Sequence, residues 1–108
     1  AYRVSELPVL ALSDREKEIV LAALVRHIPN HDVWAFGSRT TGKHKPFSDL
    51  DIAVVGDLPV SLNILAALSE ELSESALTCK VDVVDWATTS DAFRKLIAQH
   101  YIVLQSRS

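Results

Sequence analysis

Two aspartates one residue apart, Asp49 and Asp51, open an apolar run, Asp49-Leu50-Asp51-Ile52-Ala53-Val54-Val55, that is closed by Gly56-Asp57 and Pro59. A run of this length between such flanks reads as a β-strand. The strand period of two then places both carboxylates on one face of the sheet. Unit charges about 4 Å apart repel by roughly 4 kcal/mol at an effective dielectric near 20, so such a pair is exposed, shares a proton or is bridged by a cation. Carboxylate oxygens are hard donors, and the cation they suit is Mg2+. Alone, Asp-x-Asp is short and common, and two solvent-facing side chains on an edge strand would produce it equally well.

The residues upstream sharpen the reading. Gly37-Ser38-Arg39-Thr40-Thr41-Gly42 precedes the pair, followed by a basic loop, Lys43-His44-Lys45. Glycines let a backbone approach phosphates closely, successive N–H groups make an anion nest, and the Ser38 hydroxyl adds a donor. Gly37, Ser38, Arg39 and Gly42 are therefore the candidate nucleotide-binding positions. Arg39, Lys43 and Lys45 supply local positive charge of the kind a triphosphate requires, although Lys43 and Lys45 suit a solvated loop as well. Downstream, Asp82 interrupts the apolar strand Val81-Asp82-Val83-Val84-Asp85 and faces the side of Val84, opposite to Asp85. A third carboxylate from a neighbouring strand would complete a metal-binding cluster, and one of Asp82 and Asp85 reads as a surface residue at the strand end.

Gly-Ser-x-x-x-Gly, then Ser48-Asp49-x-Asp51 at a strand start, then an isolated Asp82 in a later strand resembles the nucleotidyltransferase superfamily that includes DNA polymerase beta. More narrowly, Trp34-Ala35-Phe36-Gly37-Ser38-Arg39 and Val81 to Trp86 look like the motif surroundings in the minimal nucleotidyltransferase family, whose members pair with HEPN-domain proteins in toxin–antitoxin systems. The resemblance spans roughly Asp32 to Asp85 by motif. It implies that Asp49, Asp51 and Asp82 are the catalytic metal ligands, with Asp82 assisting the nucleophile, and that Gly37 and Ser38 contact the phosphates. Asp85 gains no catalytic role from it. It further implies two Mg2+ ions, ATP as the AMP donor, and as acceptor a tyrosine on a HEPN ribonuclease toxin encoded nearby, which this antitoxin would silence. Two other readings stay open: neutralisation of the partner by occlusion without catalysis, and a subunit acting on a small-molecule hydroxyl whose acceptor site lies on a second chain.

The elements that must position these residues follow from pattern. Ser13-Asp14-Arg15-Glu16 is a capping box before Ile19, Val20, Ala23 and Leu24, which predicts an amphipathic helix ending before Pro29. Val33 to Phe36 reads as a short strand. Leu62, Leu65, Leu68 and Leu72 recur at intervals of three and four, so 61–74 reads as a second helix, with Glu70, Glu71 and Glu74 on a solvated face. Ser90-Asp91 opens a helix in which Phe93, Leu96 and Ile97 share a face, and Tyr101 to Leu104 is a last strand or a helix end. Residues 1–12 form an irregular arm. The order helix, strand, strand, helix, strand, helix makes a small α/β (α+β) domain, a mixed sheet covered by helices, filling 1–108 as one domain.

Composition excludes several classes. Hydrophobic residues are 48% and charged residues 23% of the 108, which excludes a disordered or collagenous chain. The net charge of -3 leaves no bulk basic field, so direct nucleic-acid binding is not expected and a nucleoside triphosphate would be held locally. Cys79 is the single cysteine and fits a reducing, cytoplasmic setting as a small buried side chain. The longest uncharged apolar helical run, Ile19 to Val25, is far short of the roughly 20 residues of a bilayer span, so neither a membrane segment nor a signal peptide is expected. Homo- or hetero-oligomer formation stays open. Arg94 and His100 have the Arg-x5-His spacing of HEPN ribonucleases, but they fall on a helix whose dipole they serve, in a chain without that all-helical architecture. The four histidines show no zinc spacing with Cys79.

Overall fold

The computed structural model describes residues 10–41 and 49–106. The first helix, α1, spans Asp14–His27, and both halves of the capping box form: the Glu16 amide donates to Ser13 Oγ and the Ser13 amide to the Glu16 carboxylate. Such a cap is worth about 1 kcal/mol. Glu16 also accepts from the Thr78 hydroxyl at 3.0 Å, tying the helix start to the turn before the third strand, and that bond holds its carboxyl below the usual glutamate range. Val20, Ala23 and Leu24 form the buried stripe.

The strands are β1 (Asp32–Phe36), β2 (Leu50–Val55), β3 (Val81–Asp85) and β4 (Ile102–Gln105), in the order β3-β2-β1-β4. β1 runs antiparallel to both β2 and β4, while β2 and β3 are parallel. A parallel pair needs a crossover, and the helix α3 (Leu62–Glu74) supplies it. The apolar tail left undecided by its pattern is thus an edge strand, pinned where the Gln105 amide donates to the carbonyls of Ile28 and His31. Two further elements are the four-residue helix α2 (Ser38–Thr41) and a 3-10 turn over Trp86–Thr88, followed by α4 (Asp91–Gln99), which Ser90 caps as expected.

One face of the sheet carries Val33, Ala35, Leu50, Ile52 and Val54, which are buried against α1 and α3 together with Cys79. Burial pushes the Cys79 thiol upward. The other face holds a smaller cluster of Phe36, Ala53 and Ile97 flanked by Trp34, Val84, Trp86 and Phe93. Among the described residues no helix is long and apolar enough to cross a membrane.

Three expectations need correction. Leu62 is 82% exposed and Ile64 is also exposed, so the first turn of α3 adds little to the core; Leu68 and Leu72 are buried in it and Leu65 packs against it. Glu71 is not simply solvated: its carboxylate accepts from Arg26 Nε at 3.0 Å and from Arg26 Nη2, and His27 Nε2 lies 3.0 Å away. Asp85 is buried rather than at the surface, accepting from the Val60 amide at 2.9 Å and the Ala87 amide at 3.2 Å. It caps the 3-10 turn and fixes the entry to α3, which is why an acid stands on the core face.

The Glu71 cluster gives a pH prediction. Arg26 first, then His27, hold the Glu71 carboxyl down to about 2 from its ordinary 4.5. A depressed folded-state value means stability that is present above 4.5 and lost as pH falls through about 2. The cluster is exposed and screened by salt, so the effect is small. Thermal melts over this acid window will show a steeper loss for the natural chain than for Glu71→Gln, with the difference shrinking in high salt. Parallel curves would mean the α1–α3 tie contributes nothing.

Candidate active site

Phe36 of β1 pairs with Asp51 of β2, and Asp51 pairs with Asp82 of β3, so the three form one row across the sheet. The row lies at the last residue of β1 and the second residues of β2 and β3, on the face opposite to α1 and α3. The next row, Trp34, Ala53 and Val84, is apolar and is covered by the second cluster. The carboxylates therefore stand where the helical cover stops.

Asp51 and Asp82 line a cavity of about 600 Å³ with Phe36, Gly37 and Val84 on the sheet side. Phe93, Leu96, Gln99 and His100 of the α4 segment form its opposite wall. One end is thus acidic and the other mostly apolar, with an amide and an imidazole between them. Partial burial, then the charges of Asp82 and Asp49, raise the Asp51 carboxyl above the ordinary aspartate range. Asp49 lies just before β2, exposed, and its charge reaches Asp51. Lys80 Nζ stands 3.6 Å from Asp82 Oδ1, a cation that the motif reading did not include.

Among the described residues no three His, Cys, Asp or Glu side chains converge into a ready metal cage. Mg2+ does not need one, since it keeps several waters and is held by one or two carboxylates together with substrate phosphates. Two hard carboxylates in register, of which only Asp82 has a cation beside it among the described residues, are a donor set that fits a divalent cation.

Gly37 adopts φ +84, a left-handed conformation, and a Cβ built on it would lie 2.5 Å from Asp51 Oδ2. Two separate constraints therefore require glycine here: the turn out of β1, and the Asp51 carboxylate lying against the backbone. The turn closes on itself, because the Thr40 amide and the Thr40 hydroxyl both donate to the Gly37 carbonyl, at 3.0 and 2.7 Å. Arg39 is buried and lies outside the cavity lining: its Nη1 donates to the Ala11 carbonyl at 2.7 Å, while the Ala11 amide donates to the Arg39 carbonyl at 2.9 Å. The end of the N-terminal arm is thus clamped to α2, and Leu10 and Leu12 pack on the core. Ser38 opens α2, and its side chain lies outside the described residues, as do Gly42, Lys43, His44, Lys45 and Ser48.

His100, Gln99, Leu96 and Phe93 are cavity residues that the motif reading missed, because they come from a helix far downstream of the motifs. The available signal was the apolar face Phe93, Leu96 and Ile97, wider than the core uses: Ile97 is buried while Leu96 is 59% exposed. Arg94 is structural: it donates to the carbonyls of Trp86 at 2.8 Å and Ala87 at 3.1 Å and lies over the Trp86 ring. His100 lies 2.7 Å from the Thr40 carbonyl through Nε2. Tyr101 stacks on Trp34, centroids 4.0 Å apart.

Residues 21–108 match the family model described as polymerase beta, nucleotidyltransferase. The chain is 43% identical over 98 residues, 91% of its length and 86% of the relative's, to a Haemophilus influenzae protein described as probable protein adenylyltransferase MntA. Among solved structures, it is similar to a chain of a toxin–antitoxin structure with AMP-PNP at TM-score 0.72 and 26% identity, covering 85% of this chain and 74% of that one. It also shares the fold of a chain in a structure of tri-AMPylated Shewanella oneidensis HEPN toxin with its MNT antitoxin, at TM-score 0.67 and 24% identity, covering 88% and 73%.

Proposed function

The chain belongs to the polymerase beta nucleotidyltransferase family, and from that membership we propose that it transfers AMP from ATP to a tyrosine hydroxyl of a HEPN-domain toxin and so acts as the toxin's antitoxin. The observation that carries this reading is the row Asp51–Asp82 with Gly37 against it, one acidic end of a cavity large enough for a nucleotide. Support comes from the relatives: one is described as a protein adenylyltransferase, and a structural neighbour was solved with an ATP analogue.

In this reading Asp49, Asp51 and Asp82 would hold Mg2+, two ions in the full complement, which when bound would supply charge neutralisation for the triphosphate and acidify the attacking hydroxyl. Asp82 would accept the proton of that hydroxyl. The Gly37 backbone and Ser38 would orient the phosphates, and Gly42 would be a further phosphate-binding position. Arg39 adds positive charge for the phosphates and fastens the turn to the arm through the Ala11 carbonyl. Lys80 beside Asp82 balances charge before substrate arrives. The oxygen of the acceptor bonds to the α-phosphorus, the bond to the bridging oxygen breaks, and pyrophosphate leaves. A HEPN-domain protein encoded nearby supplies the acceptor. The lone buried Cys79 suits a cytoplasmic setting.

Co-expression tests the reading. Asp49→Asn with Asp51→Asn is expected to abolish protection of cells from the partner toxin while the two proteins still co-purify. Protection that survives the double change would establish neutralisation by occlusion instead.

A further inference from the structure

We propose that His100 is a positioning residue of the nucleotide site, holding the Gly37–Thr41 turn against the carboxylate row through the Thr40 carbonyl. The inference rests on the transferase reading for its consequence, though not for its geometry. His100 ends α4 and lines the cavity that Asp51 and Asp82 also line, yet its ring reaches 60 residues back along the chain to Thr40. At 2.7 Å from a carbonyl oxygen, which can only accept, Nε2 must carry the proton, and the tautomer is thereby set. A residue serving the helix dipole alone would need no such contact.

The bond matters because of what Thr40 is joined to. Its amide and hydroxyl both close on the Gly37 carbonyl, and Gly37 lies directly under the Asp51 carboxylate, so the chain His100, Thr40, Gly37, Asp51 is continuous. The turn is held at both sides, by Ala11 through Arg39 and by α4 through His100; of these two side chains only His100 stands in the cavity wall. α4 is itself a firm reference: Ile97 is buried, and Arg94 bonds the carbonyls of Trp86 and Ala87. Loss of the imidazole leaves the turn without its tie to α4, free to drift from the Asp51 carboxylate against which Gly37 lies.

The test compares the full chain with His100→Ala and His100→Gln, the latter because a glutamine amide can donate from about the place of Nε2. Four quantities are read: hydrogen exchange over residues 37–41, KM and kcat for ATP in AMP transfer to the HEPN partner, and the melting temperature. His100→Ala is expected to speed exchange across the turn and to raise KM for ATP about tenfold, more than it lowers kcat, with little change in melting temperature. His100→Gln is expected to recover most of both effects. Exchange and KM unchanged in His100→Ala, or a glutamine variant no better than alanine, would overturn the proposal. Absence of AMP transfer by the natural chain would sink the transferase reading while the exchange comparison still decides the role of His100.

Discussion

Asp51→Asn is expected to eliminate AMP transfer and at the same time to make the protein more stable. Asp51 sits at the centre of the cross-sheet row, half-buried and faced by Asp82. Removing its charge deletes an oxygen donor with full negative charge from the place where a metal and a triphosphate meet, which is expected to cost on the order of 10³-fold or more in rate. The stability sign runs the other way. Its carboxyl is raised above 3.8 by burial and then by Asp82 and Asp49, so the stability it contributes is full below 3.8 and is lost as pH rises through the folded value. At neutral pH the ionised group opposes folding, and the neutral amide should raise the melting temperature by about 2–5 °C. Mg2+ should stabilise the natural chain and leave Asp51→Asn unmoved. Melts with and without Mg2+, beside a transfer assay, check all three; a variant that melts lower than the natural chain would show Asp51 to be structural.

The second large effect is at Gly37. Gly37→Ala asks a residue with a Cβ to hold φ +84 and places that carbon 2.5 Å from Asp51 Oδ2. The backbone conformation alone costs about 1–3 kcal/mol. The contact cannot be accepted as it stands, so either the turn or the carboxylate moves, and a shift of that size is expected to reduce transfer about 10²-fold. The pair Gly37→Ala with Asp51→Ala separates the causes: truncating Asp51 removes the contact but not the φ strain. If alanine at 37 costs the same stability whether or not the Asp51 carboxylate is present, the close approach has no energetic weight and only the backbone conformation matters.

What could be read without coordinates was whatever is written locally. The Ser13–Glu16 capping box, the alternation around Asp82 and the short runs ending at Phe36 and Val55 each depend on neighbours within a few residues, and their elements formed where pattern put them. Pattern failed where an element's worth depends on distant partners. Glu71 reads as one more solvated acid on α3 until Arg26 and His27 of α1 are brought to it. Leu62 fits the helical stripe, yet it is exposed, because periodicity does not say how far along the helix the packing partner extends. Asp85 is indistinguishable by type from a strand-end acid, and only the orphan amides of Val60 and Ala87 explain its burial. Within the site, period alone put Asp49 and Asp51 on one face of their strand and Asp82 on the side of Val84 in its own, whereas the meeting of Asp51 and Asp82 in one row depends on the β2–β3 register, which periodicity does not specify. The α4 wall, His100 included, lacks any motif, since a cavity lining is defined by what lies across from it.

The most direct measurement is the intact mass of the HEPN protein encoded beside this chain after incubation with the chain, ATP and Mg2+. A gain of one or more AMP units on that partner, absent with Asp51→Asn and located on a tyrosine, is the expected result. A stable complex in which the partner's mass does not change, yet its toxicity is suppressed, would contradict nucleotidyl transfer and leave occlusion as the mode of neutralisation.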